Sequence, residues 1–448
     1  MSAPPARLPP AHTESPPGRP ARILASAGAA LPWAGALTAA ATIAAGAIAL
    51  ALNIRLGVLH APFFVQYSPV GGWYALAAAA ALAGGLLVAG RLVQPSLPAP
   101  ACAAGLLVLP LVLRLALNAV REGPVGWYRV FGAAWEGQFE YLPALAALRL
   151  GPATFLDRFA ELSPALPIHP SAHPPGMVLA LHFLGIGTPP QNAALVIGVG
   201  ALTAPLTYAL ARQLLDEVRA RVAALLYAFA PSSLLYGATS ADAVFAALAT
   251  AAGATLVARR AAVVGLGSLL LALASFFSYA LTGVGAWAVL VVARLRGARR
   301  AIAVACGCGV ALLAGYAALY VVTGFDLLGS LEAAHGAYRR SIASQRPYWY
   351  WLFGSPTAFF VMAGLPLAWL ALRDAGRGGV AGLALVVVVA IATLLGFTKA
   401  ETERIWQFLV PLACVAAAAQ LRTGRLRPVL IALAVQALAV ELLLDTRW

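Results

Sequence analysis

The chain has 448 residues, of which 62% are hydrophobic and only 10% charged, whereas a globular protein carries about 25% charged residues. So much apolar surface has to face lipid, which excludes a soluble enzyme of ordinary size. The net charge of +14 would suit nucleic acid, but the arginines stand in short clusters between apolar runs rather than on one amphipathic face. They read as topology signals, and no nucleic-acid partner is expected.

In chain order, residues 1–22 are Pro-rich with Arg7, Arg19 and Arg22 and cannot pack a core. They read as a disordered cytoplasmic tail, leaving 23–448 as one membrane domain. The run 23–52 is too long for a signal-peptide core and is expected to stay as the first span. Further spans are predicted near 73–93, 99–120, 192–212, 220–237, 240–258, 262–279, 280–294, 301–322, 356–373, 380–397, 405–421 and 428–444. The expected fold class is therefore all-α, a polytopic transmembrane bundle of about 12–14 spans. The apolar stretch 174–187 is short for a span and reads as a re-entrant or half-buried helix.

Laid alternately across a bilayer, these spans put Arg91, Arg212, Arg219, Arg221, Arg259, Arg260, the Arg294 to Arg300 cluster, Arg373, Arg377 and the Arg422 to Arg427 cluster on the side of the N-terminal tail. That side is cytoplasmic by the positive-inside rule. Of the 30 basic residues only Lys399 is a lysine, which with the alanine richness points to a GC-rich genome and a bacterial inner membrane. Cys102, Cys306, Cys308 and Cys414 all lie in apolar runs and read as small buried hydrophobes rather than a disulfide framework.

Three outer segments remain, about 121–173, 323–355 and 398–404, and unstructured loops beyond ~12–15 residues are uncommon unless functional. In the first, Leu142, Leu145 and Leu148 beside Arg149 predict a short interfacial helix within 139–149. The second carries Tyr338, Tyr348, Trp349, Tyr350 and Trp351 with Arg339, Arg340 and Arg346, which suits the headgroup level.

Four constellations could carry chemistry. Glu136 and Glu140 are four apart, so on a helix both carboxylates share a face, and a carboxylate near a partly desolvated surface can act as a general base; pairing with Arg129 or Arg149 is the plain alternative. His169 and His173 flank Pro170 and precede Pro174 and Pro175. The prolines forbid one helix through both histidines, which argues against a metal pair and leaves substrate hydrogen bonding or a structural cap. Pro231, Tyr236, Ser240 and Asp242 stand at a span junction, where Asp242 either caps the next helix or faces a site. Lys399 and Arg404, with Arg339, Arg340 and Arg346, could clamp a phosphate, or else pair with Glu401 and Glu403. Arg114 lies inside an apolar run and is expected to snorkel outward or point into a cavity.

The order of these features resembles the membrane-embedded GT-C glycosyltransferases, in particular the branch of lipid A aminoarabinose transferases and protein O-mannosyltransferases. The match rests on Glu140-Tyr141, then His173-Pro174-Pro175, then Tyr236 with Ser240-Ala241-Asp242-Ala243, and on Glu403-Arg404-Ile405-Trp406. It covers roughly 99–260. The family's acidic pair is contiguous, whereas here Phe139 precedes Glu140.

The resemblance implies a GT-C-like domain that moves a sugar from a polyprenyl-phosphate donor to a glycan, lipid or protein acceptor on the extracytoplasmic face. It implies Glu140 as the base, with Glu136 or Asp242 orienting substrate. His173, His169 and Tyr141 would contact sugar or acceptor, and Arg404, Lys399, Arg339, Arg340 and Arg346 the lipid phosphate. No Asp-x-Asp triplet occurs among the 16 acidic residues, so no cofactor is expected and a divalent cation is not indicated. The alternatives are a transporter or flippase of lipid-linked substrates, which would need charged or broken helices meeting near the midplane, and a noncatalytic envelope-assembly subunit.

Overall fold

The structure, a computed structural model, describes residues 19–132 and 135–446. Most of the anticipated tail, 1–18, lies outside the described residues; its last four positions, 19–22, already belong to the first helix, Arg19–Ala51. The chain is an all-α polytopic bundle. Its one sheet among the described residues is a two-residue antiparallel ladder, Gln66–Tyr67 against Leu444–Asp445.

Seven helices are long and apolar enough to cross a bilayer, and up to nine if each of two bent pairs is one span. The sequence reading of about 12–14 spans also counted shorter segments. Helices such as Asp242–Leu256, Ala261–Ser275 and Val380–Leu395 reach only ~22–24 Å at 1.5 Å per residue, less than the ~30 Å hydrocarbon core. The stretch 174–187 forms one eight-residue helix, Gly176–Phe183, too short to span, as anticipated.

The centre of the bundle is built from the least bulky sequences. In Val410–Gln420, Ala413, Ala416, Ala417 and Ala418 are fully buried. The neighbouring Glu217–Phe229 and Asp242–Leu256 bury almost every side chain after their first turn. Small residues let backbones approach closely where van der Waals packing, rather than hydrophobic expulsion, holds helices together. The peripheral helix Ala298–Thr323 instead exposes Val310, Leu313, Val321 and Val322. Cys306 is exposed on this helix while the other three cysteines are buried, so the expectation of four buried thiols fails at that position.

Arg114 does not snorkel outward. It is fully buried and spans the break between Glu217–Phe229 and Pro231–Thr239, which are bent by 57°. Its Nε donates to the Ser233 carbonyl at 2.9 Å and its Nη2 to the Ser233 hydroxyl at 2.9 Å and the Tyr227 hydroxyl at 3.3 Å. Pro231 interrupts the helical ladder, and the guanidinium ties the two halves together, to Tyr227 before the break and Ser233 after it. Room for it comes from Gly200 and Gly237, since an added Cβ at either would crowd the guanidinium. The second break, Tyr348–Ala363 against Leu365–Gly376 at 115°, is closed by Gln436, which accepts from the Leu365 N–H at 2.9 Å and donates to the Val361 carbonyl at 2.7 Å.

The two ends of the bundle differ in charge. Three helices leave the end that carries the β ladder and His173, and each finishes among arginines. Trp73–Leu92 ends at Arg91, next to carbonyls that take up Arg221. Leu426–Leu443, followed backwards, reaches Arg425. Ala261–Ser275, followed backwards from Phe276, whose carbonyl accepts the Gly176 N–H, reaches Arg260.

Gly237→Ala places a methyl against the Arg114 guanidinium. It should lower stability by about 1–3 kcal/mol, read as a lower thermal midpoint of the purified protein in detergent.

Candidate active site

Each outer segment delivers its polar residues through a short, stiff element. Glu140 and Tyr141 sit in the turn between two 3₁₀ helices, Trp135–Phe139 and Leu142–Leu150. The spacing of three between Leu142, Leu145 and Leu148 is the repeat of a 3₁₀ helix, so the stripe stays on one side of it. His169 lies in a single helical turn, Ile168–Ala172, which accommodates Pro170 in its first turn, where no intrahelical N–H is required. The proline therefore does not forbid a helix there. His173 follows it in extended conformation, with φ −120 and ψ 158, so the two histidines do not lie on one helix.

Glu140 is 1% exposed, and its Oε1 lies 3.0 Å from His169 Nδ1. Its other oxygen, Oε2, has no hydrogen-bond partner among the described residues. Tyr141 packs its ring 6.3 Å from those of both His169 and His173, and Phe245 closes the group at 5.6 Å from His173 and 6.5 Å from Tyr141. Burial, with Asp242 and Glu140 nearby, pushes the Tyr141 phenol well above its usual range. Burial, together with His169 and Arg404, drives His173 down to about 3, so it is a neutral imidazole at physiological pH.

Asp242 opens the helix Asp242–Leu256. It does not cap that helix through its own carboxylate: Ser240 Oγ donates to Asp242 Oδ2 at 2.7 Å and accepts the Asp242 N–H at 3.2 Å. The carboxylate faces Arg404, with Nε to Oδ2 at 3.8 Å. Arg404 Nη2 reaches Glu401 Oε2 at 3.1 Å, and Glu401 Oε1 takes Arg346 Nη2 at 2.6 Å. Burial alone would raise the Glu401 carboxyl, but Arg346 and Arg404 outweigh it and hold it below the usual range. Burial likewise opposes charge on Arg404, and Asp242, Glu401 and Glu140 more than compensate.

Six of the anticipated residues, Glu140, Tyr141, His169, His173, Asp242 and Arg404, thus come together from sites up to 264 positions apart. The others stand differently. Glu136 is half-exposed and makes no hydrogen bond or ion pair among the described residues, because the segment is a 3₁₀ helix, in which positions four apart do not share a face. Arg346 is buried with its guanidinium committed to Glu401 and to the Lys399 carbonyl. Lys399 donates to the Arg346 carbonyl at 2.8 Å and lies 5.6 Å over the Tyr338 ring. Arg339 and Arg340 are exposed at the end of the helix Leu327–Arg340.

Arg340 lines a cleft of about 300 Å³ with Gln138, Phe139, Ile168, Ser171 and Ser341. Phe139 and Ile168 are the chain neighbours of Glu140 and His169, which themselves do not line the cleft.

Sequence reasoning missed the contribution of 53–70. Phe64 N–H donates to Glu403 Oε1 at 2.6 Å, and the Leu56 carbonyl accepts from Trp351 Nε1 at 3.0 Å. Nothing in that stretch signals its destination, because both anchors are backbone groups. It also missed that Ala400 and Glu401 are left-handed, with φ 65 and 60. Neither residue type advertises a conformation that costs of order 1–3 kcal/mol. Among the described residues, no three His, Cys, Asp or Glu side chains are arranged to hold a metal ion.

Glu403 is 2% exposed, and burial pushes its carboxyl up to about 7 despite the Phe64 N–H. A carboxyl raised in the fold loses stability as pH climbs from its unfolded value of about 4.3 to about 7, a loss of order 3 kcal/mol that is complete above pH ~7. Glu403→Gln keeps an acceptor for Phe64 and removes that loss. Its thermal midpoint relative to wild type should therefore rise between pH 5 and pH 8.

A scan against protein-family models finds no match to this chain, and a search of curated protein sequences finds none.

Proposed function

We propose that the protein is a membrane glycosyltransferase of the GT-C type. It would move a sugar from a polyprenyl-phosphate donor to a hydroxyl acceptor on a glycan, lipid or protein, with inversion at the anomeric carbon. The observation that carries this reading is Glu140. It is a buried carboxylate with one oxygen oriented by His169 and the other bare, and its chain neighbour Phe139 lines an open cleft. Arg346 and Arg404 hold the Glu401 carboxyl below its usual range, and Asp242, which burial raises, faces Arg404; Glu140 has a histidine instead, and no arginine pairs with it among the described residues.

In this reading Glu140 Oε2 accepts the proton of the acceptor hydroxyl as that oxygen attacks the anomeric carbon, and the bond from that carbon to the lipid phosphate oxygen breaks. His169 positions Glu140. Arg340 at the cleft is the guanidinium free to meet the departing phosphate, whereas Arg404, fixed between Asp242 and Glu401, sets a positive field behind the reacting centre. Neutral His173 and the Tyr141 phenol supply hydrogen bonds without adding charge. By the positive-inside rule the arginine-rich end, from which the helix Arg19–Ala51 starts, would face the cytoplasm of a bacterial inner membrane and the site the extracytoplasmic side.

The test is transfer from labelled polyprenyl-phosphate sugars by the purified protein in lipid. Glu140→Gln should lower turnover by about 10²–10⁴-fold with unchanged membrane insertion. Glu403→Gln, the other buried carboxyl with an unpartnered oxygen, should stay within about tenfold of wild type. Normal transfer by Glu140→Gln would remove Glu140 as the base.

A further inference from the structure

At the opposite end of the bundle two helical hairpins meet. One turns between Asp242–Leu256 and Ala261–Ser275, the other at Gly297 between Thr282–Arg296 and Ala298–Thr323. A cleft of about 250 Å³ lies between them, walled by Val264, Val292 and Val304, with Arg296 and Arg300 at its mouth. Part of its wall is bare backbone: an added Cβ at Gly265 would meet nothing within 4 Å, and one at Gly307 would meet only the Ser268 hydroxyl at 3.2 Å.

The charge at the mouth has no internal counterion. Between Asp242 and Asp326 the sequence has no acidic residue but six arginines: Arg259, Arg260, Arg294, Arg296, Arg299 and Arg300. None of them makes an ion pair among the described residues. Elsewhere on the chain Arg212 and Arg221 share Glu217. Arg296 is used inside the protein, donating to the Val257 and Ala258 carbonyls at 2.6 Å each, where the helix Asp242–Leu256 leaves its last carbonyls open. Arg259 and Arg300 stand near enough to Arg296 to repel it, and both are exposed.

We propose that this cleft binds one anionic phospholipid, its phosphate held by Arg259 and Arg300 and part of an acyl chain lying along Gly265 and Gly307. The two halves of the site call for the two halves of such a molecule. A free phosphate would satisfy the arginines and leave an apolar groove empty, and a neutral lipid would fill the groove and leave the arginines repelling one another. The helix Ala261–Ser275 separates this cleft from the candidate active site by its 15 residues, or ~22 Å. The proposal therefore stands whether or not sugar transfer is the activity.

The test is native mass spectrometry of the delipidated full chain with phosphatidylglycerol or phosphatidylcholine of matched chains, and with glycerol phosphate as the headgroup alone. Phosphatidylglycerol should be retained at least about tenfold better than phosphatidylcholine. The double variant Arg259→Gln/Arg300→Gln should fall to the phosphatidylcholine level. Gly265→Leu, whose side chain enters open space and whose position is exposed, should lose the lipid with every arginine intact. Equal retention of the two lipids, wild-type retention by either variant, or displacement of the lipid by an equal concentration of glycerol phosphate would overturn the proposal.

Discussion

Glu401 is one carboxylate shared by two buried guanidinium groups, and the geometry of the candidate site depends on that sharing. Arg346 reaches it from the start of the helix Tyr348–Ala363, Arg404 from the turn Thr402–Ile405, and Arg404 passes the connection on to Asp242. Two desolvated arginines without a carboxylate between them would repel at close range, and a desolvated carboxylate without them would take up a proton. Only the complete set is tolerable in that position. The left-handed conformations of Ala400 and Glu401 are held by the same contacts, since Arg346 also binds the Lys399 carbonyl and Thr402 Oγ1 donates to the Ser355 carbonyl at 2.6 Å. Backbone strain here is maintained by ion pairing.

The part of this arrangement that could be read from the sequence is the part carried by side-chain chemistry at short range. Apolar run length shows the bundle, and the prolines around His169 and His173 mark the turns that carry them. The charges of Lys399, Glu401, Glu403 and Arg404, packed between two apolar runs, could be read as a site or as mutual pairing; Arg404 does pair with Glu401, whereas Lys399 and Glu403 go to backbone groups of Arg346 and Phe64. What could not be read is settled by long-range backbone contacts. Phe64 and Glu403 are 339 positions apart and joined by a main-chain donor, and Arg114 finds the Ser233 carbonyl 119 positions away. A lone arginine in an apolar run signals that something must satisfy it, but the satisfying group is a broken helix, and breaks with partners so distant leave no local pattern. Span counting went too far for a related reason: a fully buried helix and a membrane-crossing one have the same composition, and only length separates them.

Broken helices would ordinarily favour a transporter, because half-helix ends at the midplane are where such proteins place their substrate. Here the two breaks approach each other, with Gly364 of one against Pro231 of the other. Both are sealed from inside. Arg114 bridges the first from Tyr227 to Ser233, and Gln436 bridges the second with one donor and one acceptor. A break that is to bind and release cargo must be open to it, whereas both of these are already spanned by side chains that belong to the bundle. The bends re-aim helices instead: Pro231–Thr239 leads directly to Ser240 and Asp242, and Tyr348–Ala363 follows directly on Arg346.

The two ends of the molecule deal with charge in opposite ways, and the difference bears on what each can do. At the end bearing Glu140, the buried Asp242, Glu401, Arg346 and Arg404 are matched within the protein, so the electrostatic field they set is fixed before any substrate arrives. A preorganised field is what stabilises charge developing in a transition state at no cost of rearrangement. At the other end the arginines between 259 and 300 are left unmatched, and their neutralisation must come from outside. A chain with only 16 acidic residues cannot pair all of its arginines. Spending Asp242 and Glu401 on Arg404 and Arg346 leaves the arginine-rich end dependent on the surrounding lipid, and it leaves Glu140 as a buried carboxylate with a histidine partner and an oxygen to spare.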